Sequence, residues 1–250
     1  MAFPPPPPIP LLDGKTLDPA ARQFSAFVFK MQANMDKRHR DRVAFVRITS
    51  GVFERGMDVR LERLDKTVKL SSPVTFFGQE RSTIDHAYPG DIIGLINPGT
   101  FRIGDVLSTG EAPKFRPLPV FAPELFARII LEDTSKTKSF RKGIEQLAEE
   151  GVLQVFTRDG VPIVGAVGEL QFESFHFRLM DEYNAPCRME KLPFECSRWI
   201  KEENISAFST YDYIVRDENK NPVVLFKSEY RMNSFMEQNP KIELLEHPPH

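Results

Sequence analysis

The sequence predicts two domains: a mainly β domain that forms a small barrel, and an α+β domain behind it. Residues 24–112 contain short runs in which apolar and polar side chains alternate, separated by turns rich in glycine and proline. From residue 121 onward, strand-like runs alternate with two helical patterns. Proline-bearing segments at 1–23 and 113–120 flank the barrel as linkers. At 250 residues the chain is long enough to give each domain its own core.

The first linker and the barrel follow from local patterns. Residues 1–23 carry five consecutive prolines, Pro4 to Pro8, which favour extended polyproline II. In the barrel, alternation is clearest at 57–61, where three apolar side chains alternate with two charged ones. Turns such as Pro89-Gly90 separate the strands, and closure of the sheet would remove its exposed edges. The predicted strands are 24–32, 43–49, 57–62, 67–77, 91–96 and 101–107.

The second domain, predicted at 121–250, has a different periodicity. Phe140, Ile144 and Leu147 recur at helical spacing, and Gly151 follows where a left-handed C-terminal cap belongs. The element order is strand, helix, strand, strand, helix, strand, which is the split βαβ pattern of a ferredoxin-like domain. These elements are predicted at 125–131, 136–150, 152–156, 161–167, 169–183 and 187–194. A C-terminal extension adds strands at 195–201, 222–226 and 241–246 and a helix near 227–239.

The composition of the chain limits which classes of function are possible. The net charge of −2 does not support a wholly basic nucleic-acid-binding surface, so any polyanion must meet a local patch. Cys187 and Cys196 form no CxxC motif and fit neither a disulfide framework nor a zinc site, which indicates reduced cysteines in a cytoplasmic protein. No apolar run approaches the ~20 residues of a membrane span, and the proline-rich start has no signal-peptide pattern.

One basic loop is the candidate binding site. Two runs with period-two alternation, around Phe27–Met31 and Val43–Arg47, enclose a cationic segment. Such strands would hold several cations close together, which suits a polyanion. A solvated hairpin loop without a partner is the alternative. The candidate residues are Lys37, Arg38, His39, Arg40 and Arg42.

The amino-acid sequences of several segments resemble those of the bacterial peptide chain release factor 3 family of translational GTPases. The run FVFKMQANMDKRHRDRVAFVRITSG at 27–51 is similar to the opening of the family's second domain, including its ANMD and HRDR elements. YPGDIIGLINPGTFRIGDVLSTGE at 88–111 resembles its barrel-closing segment. Three further segments resemble motifs of the family's third domain: FAPELFARI at 121–129, QLAEEGVLQVF at 146–156 and IVGAVGELQFE at 163–173.

The resemblance implies a role in translation termination in the cytoplasm. The family uses GTP to promote removal of the decoding release factor from the ribosome. The resemblance also implies a translation-factor-type barrel that docks on small-subunit ribosomal RNA. It further implies that the ferredoxin-like domain lies near a small-subunit protein and the decoding factor. Arg81 and His86, which precede the YPGD turn, lie in a region that faces ribosomal RNA in related barrels. A monomer is expected.

The sequence departs from the family in its nucleotide-binding motifs. Gly14-Lys15-Thr16 gives the last three letters of GxxxxGK[ST], but Ile9 stands where the first glycine belongs, and no NKxD motif follows. We therefore predict that the chain lacks the GTPase domain, holds no cofactor or metal, and is not itself an enzyme. GTP and Mg²⁺ would bind in the family's N-terminal domain.

Three other functions are compatible with the sequence. The chain could belong to another translational GTPase of the elongation-factor-G type, which the ANMD and HRDR elements disfavour. It could be a stand-alone α+β protein or enzyme that binds a small molecule, although no convergent acid, base, nucleophile or metal set is visible. A plain RNA-binding module would need a basic surface wider than one loop.

Overall fold

The computed structural model describes residues 6–33, 42–71, 73–77, 80–97, 99–116, 118 and 121–249. The chain divides into two compact units, residues 1–119 and 120–250. Within the described ranges, no helix is long and apolar enough to cross a membrane.

Unit 1 is built almost entirely of strands. The element bounds are β1 (Ile9–Pro10), β2 (Thr16–Leu17), β3 (Ser25–Ala33), β4 (Arg42–Ser50), β5 (Phe53–Glu54), β6 (Asp58–Leu61), β7 (Lys66–Lys69), β8 (Pro73–Phe77), β9 (Glu80–Thr83), β10 (His86–Ala87), β11 (Ile92–Asn97) and β12 (Val106–Ser108).

Eight of these strands form one antiparallel sheet in the order β7-β6-β12-β3-β4-β11-β8-β9. The sheet curls around a core in which Val28, Val46 and Ile48 are almost fully buried beside Phe53. Within the described residues no pairing joins β7 to β9, so the sheet is a curled half-barrel. The predicted β-barrel class is confirmed, whereas the full closure expected from the turn pattern is not seen.

Several predicted strands of unit 1 differ in detail from those observed. The run predicted at 67–77 is two strands, β7 and β8, with a break at Leu70 and Ser71 between them. The run predicted at 101–107 pairs only from Val106, because the residues before it form a loop. β5, β9 and β10 were not predicted, since two- to four-residue strands carry too little alternation to recognise. In the proline-rich start, β1 and β2 pair as a short hairpin.

Unit 2 combines β-strands with α-helices. They are β13 (Leu125–Leu131), α1 (Thr137–Glu149), β14 (Gln154–Arg158), β15 (Val161–Ala166), α2 (Glu169–Asp181), β16 (Cys187–Leu192), β17 (Cys196–Trp199), β18 (Tyr213–Arg216), β19 (Pro222–Phe226) and α3 (Glu229–Gln238).

The predicted ferredoxin-like arrangement is present in unit 2. The sheet order is β16-β13-β15-β14-β18-β19-β17, and its first four strands, with α1 and α2, give the split βαβ topology. Gly151 follows α1 with φ of +72°, as its predicted cap position requires. The extension contributes β17 to β19 to the same sheet. The strand predicted at 241–246 is wrong, because only a single bridge joins Leu245 to Trp199.

The sheet of unit 2 is buried on both faces. On one face, Ala127 and Ile129 of β13 pack with Leu147 of α1 and Phe175 of α2. On the other face, a second core includes Phe126 of β13 and the buried side chains Phe156, Ile163, Trp199 and Val223. Successive residues of β13 thus serve two cores, as the pleat of a strand dictates.

Helix α2 carries two apolar stripes, one exposed and one buried. Leu170 and Phe177 form one of them, with exposures of 78% and 67%. The buried stripe is formed by Phe172, Phe175 and Leu179 instead. Both sets recur at helical spacing, so periodicity alone could not decide which one faces the sheet.

Candidate nucleic-acid interface

Strands β3 and β4 hold the two ends of the predicted basic loop. Ala33, the last residue of β3, pairs in register with Arg42, the first residue of β4. Lys37, Arg38, His39 and Arg40 lie between them, outside the described residues. The structure therefore fixes where the loop leaves the sheet and where it returns.

Arg42 occupies the base of this loop. It lies between Ala33 of β3 and Asn97 of β11 in the sheet, and only 7% of its surface is exposed. A guanidinium at this position offers a partner less surface than an exposed arginine would. A contact between Arg42 and a partner stays a prediction.

A buried asparagine organises the turn beside the loop base. The side-chain carbonyl of Asn97 accepts hydrogen bonds from the backbone N–H groups of Gly99, Thr100 and Phe101 at 2.9, 2.7 and 3.0 Å. Its amide donates to the Phe101 carbonyl at 2.8 Å. Because Asn97 is 2% exposed, these bonds satisfy polar groups that water could hardly reach.

An ion pair fixes the other side of the same turn. The Arg63 guanidinium donates to both carboxylate oxygens of Asp105, at 2.6 and 3.0 Å, and to the Thr100 carbonyl at 2.9 Å. The Asp105 carboxylate also accepts from the Arg102 N–H at 2.8 Å. The side chain of Asp105 is 2% exposed, so a bidentate arginine is the partner its charge requires.

Sequence reasoning missed Asn97, Arg63 and Asp105. The available signal was the Asn97-Pro98-Gly99 segment, since asparagine before a proline–glycine turn commonly bonds the backbone that follows it. Together the three side chains hold the turn after β11, next to the point where Arg42 begins β4.

Arg81 and His86 lie at the opposite end of the strands from the basic loop. Arg81 of β9 pairs with Phe76 of β8, near the Ile92 end of β11. His86 is exposed and pairs with Glu54, just beyond the end of β4. The five-residue step from Arg42 to Arg47 along β4 corresponds to about 17 Å. The structure therefore does not gather all the predicted residues into one patch.

The two cysteines lie in unit 2 and are buried. Burial, with a smaller effect from the charge of Glu132, raises the pKa of the Cys187 thiol from 9.0 to about 11. Burial also raises the pKa of Cys196. Thiols with raised pKa values are poor nucleophiles and poor metal ligands at neutral pH. Among the described residues, no group of three His, Cys, Asp or Glu side chains is placed to hold a metal.

Two family models match the chain. Residues 23–110 match "Elongation factor G domain 2", and residues 115–236 match "Class II release factor RF3, C-terminal domain". The first match falls within unit 1, and most of the second falls within unit 2.

Named relatives are similar along nearly the whole chain. Peptide chain release factor 3 of Symbiobacterium thermophilum is 50% identical over 243 residues, and that of Streptococcus mutans is 46% identical over 239 residues. Each alignment covers 94% of this chain but 46% of the relative, so the chain spans about half the length of these relatives.

A solved structure shares the fold. A crystal structure of a protein from Thermus thermophilus superposes with a TM-score of 0.59 at 20% identity, covering 80% of this chain and 30% of that one.

We predict that Asn97→Ala lowers the free energy of unfolding by about 2–3 kcal/mol, because three N–H groups lose their shared acceptor. Urea unfolding followed by far-ultraviolet circular dichroism measures the change. Asp85→Ala is the control, since its carboxylate is 73% exposed and pairs with Arg55 only at 3.6 Å. Equal stability of the two variants would contradict the structural role of Asn97.

The raised pKa of Cys187 predicts slow alkylation and alkaline destabilisation. Iodoacetamide labelling at pH 8, quantified by peptide mass spectrometry, should be much slower for the native chain than for the chain in guanidinium. The pKa of the thiol is 9.0 in the unfolded chain and about 11 in the folded one. Below pH 9 the thiol is protonated in both states, so its contribution to the free energy of unfolding is fully present. As the pH rises from 9 towards 11, the unfolded thiol ionises first and this contribution is lost. Rapid native labelling of Cys187 at pH 8 would refute this prediction.

Proposed function

Because the chain belongs to the peptide chain release factor 3 family, we propose that it forms the ribosome-docking part of a factor that acts in translation termination. The observation that carries this proposal is the identity of 46–50% maintained along 94% of the chain, across both units. The match to elongation factor G domain 2 covers unit 1 alone, so it supports an elongation-factor-like function less well.

We assign the chain a docking and transmitting role within that factor. The intact factor would use GTP to promote removal of the decoding release factor, and these 250 residues would contribute contacts to the ribosome. The absence of a complete GxxxxGK[ST] motif and of NKxD from the sequence supports a nucleotide site elsewhere in the factor. The small ribosomal subunit and the decoding release factor are the proposed partners.

The basic loop is the proposed contact to ribosomal RNA. Its attachment points are fixed by the pairing of Ala33 with Arg42 and by the hydrogen-bonded turn at Asn97. The basic residues Lys37, Arg38, His39, Arg40 and Arg42 fall within six consecutive positions of the sequence, and such a cluster favours the binding of phosphate. Arg81 and His86, about 17 Å away along the sheet, would contact a separate RNA segment.

The docking proposal is tested with Arg38→Ala/Arg40→Ala, which removes two cations without touching the buried Arg42. Binding of the full chain to purified ribosomes should weaken by about tenfold at low salt, and the dependence on salt should become shallower. The matched control is Lys66→Ala/Lys69→Ala, which removes two exposed cations from the edge strand β7. Parent-like binding by the loop variant would exclude this loop as the contact, and failure of the parent to bind would refute docking itself.

The nucleotide proposal has its own test. Isothermal titration of the chain with GTP and Mg²⁺ should give no binding heat, since the phosphate-cradling motif is incomplete. Saturable binding in the micromolar range would overturn the assignment of the nucleotide site to another part of the factor.

A further inference from the structure

Three arginines continue the second core of unit 2 toward solvent. Arg128 lies two residues after Phe126 on β13, and Arg158 lies two residues after Phe156 on β14. Both phenylalanines belong to the core on the face opposite α1 and α2, so the alternation of a strand places both arginines on that face. Arg188 of β16 shares the face, because it lies two residues before Glu190, the register partner of Arg128.

Contacts of Tyr213 connect this face to the core. The centre of the Tyr213 ring lies 4.6 Å from that of the buried Phe194 ring, with the two rings tilted by 40°, and the Arg158 guanidinium lies 4.0 Å from the centre of the Tyr213 ring. The Tyr213 hydroxyl accepts a hydrogen bond from Arg128 at 3.5 Å. These contacts end at the guanidinium of Arg158, whose side chain is 32% exposed.

The charges of this face are only partly compensated. Glu190 lies 3.8 Å from Arg128 and 3.2 Å from Arg188, and Asp159 lies 3.7 Å from Arg158 with its side chain 91% exposed. Three cations therefore face two carboxylates. Exposed pairs of this kind contribute little stability, so an incoming phosphate can replace the carboxylates at small cost.

Apolar side chains form the floor between the arginines. Ile130, two residues after Arg128, is half-buried, and Val161, two residues before the buried Ile163, is 37% exposed. We call Arg128, Arg158, Arg188, Tyr213, Ile130 and Val161 the arginine platform. An apolar surface bordered by guanidinium groups suits the two parts that an unpaired nucleotide offers, a base face and a phosphate.

We propose that the arginine platform binds an unpaired segment of RNA, with a base stacked on Arg158 and phosphates paired with Arg128 and Arg188. The inference deepens the proposed function, since the ribosome would supply the RNA. RNA is favoured over an acidic protein segment because the face combines cations with the apolar side chains of Ile130 and Val161, which a base can cover. A carboxylate would use only the edge of a guanidinium plane.

The test measures binding of the full chain to a fluorescent single-stranded RNA 12-mer of mixed sequence. Arg158→Gln/Arg188→Gln should weaken binding by about tenfold and reduce the salt slope by about 0.7, because one phosphate contact, that of Arg188, and one stacked base are lost. The matched control, Arg141→Gln/Lys142→Gln, removes two exposed cations from α1, on the opposite face of the same sheet, and should bind like the parent.

A conservative variant separates stacking from charge. Arg158→Lys keeps the positive charge but loses the guanidinium plane, so the salt slope should be unchanged while the affinity falls several-fold. Parent-like affinity of Arg158→Lys would show that stacking on Arg158 is wrong. Circular dichroism spectra that match the parent confirm that each variant folds.

The remaining outcomes distinguish this inference from the docking proposal. If the parent binds no RNA, or if the platform variant binds as the parent does, the inference is overturned even when the chain still binds ribosomes. If a polyglutamate peptide binds the platform and RNA does not, the face recognises an acidic protein. Loss of ribosome binding with RNA binding intact would overturn the docking proposal alone.

Discussion

The alternation of side chains along each strand is the constraint on which both units depend. In unit 1 it directs Val46 and Ile48 of β4 into the half-barrel and leaves Arg47 outside. In unit 2 it divides β13 between the helical core at Ile129 and the second core at Phe126. A shift of one residue would exchange buried and exposed side chains in unit 1, and it would exchange the side chains of the two cores in unit 2. The arginine platform exists because Arg128 and Arg158 each lie two residues after a core phenylalanine and therefore on the same face of the sheet.

Polar contacts supplement the apolar core of unit 1 at one turn. The turn after β11 contributes Phe101 to the core but otherwise relies on Asn97 and the Arg63–Asp105 pair. Directional bonds of this kind define one geometry more sharply than apolar contacts, which tolerate small displacements. The two ends of the basic loop, Ala33 and Arg42, are paired in the sheet beside this turn.

Much of this architecture could be predicted from the sequence, and the misses share a physical origin. β13 and β19 were located to the residue, because their apolar runs are bounded by clear turn signals. The buried face of α2 could not be chosen, since Leu170 and Phe172 begin equally regular stripes and only the sheet decides between them. The Arg63–Asp105 ion pair and the contacts of Tyr213 join distant parts of the chain, so local patterns do not reveal them. The residues of the basic loop itself remain a prediction from sequence.

Trp199 is the sole tryptophan of the chain, and it lies 1% exposed in the second core of unit 2, donating a hydrogen bond from its indole to Asp217 at 3.0 Å. Its emission therefore reports on unit 2 alone, with no tryptophan background from the half-barrel. Because the second core also contains Phe194, against which Tyr213 packs, the same fluorophore monitors the foundation of the platform. Comparison of this signal with far-ultraviolet circular dichroism, which reports both units, can thus tell whether the two units lose their structure together or in sequence.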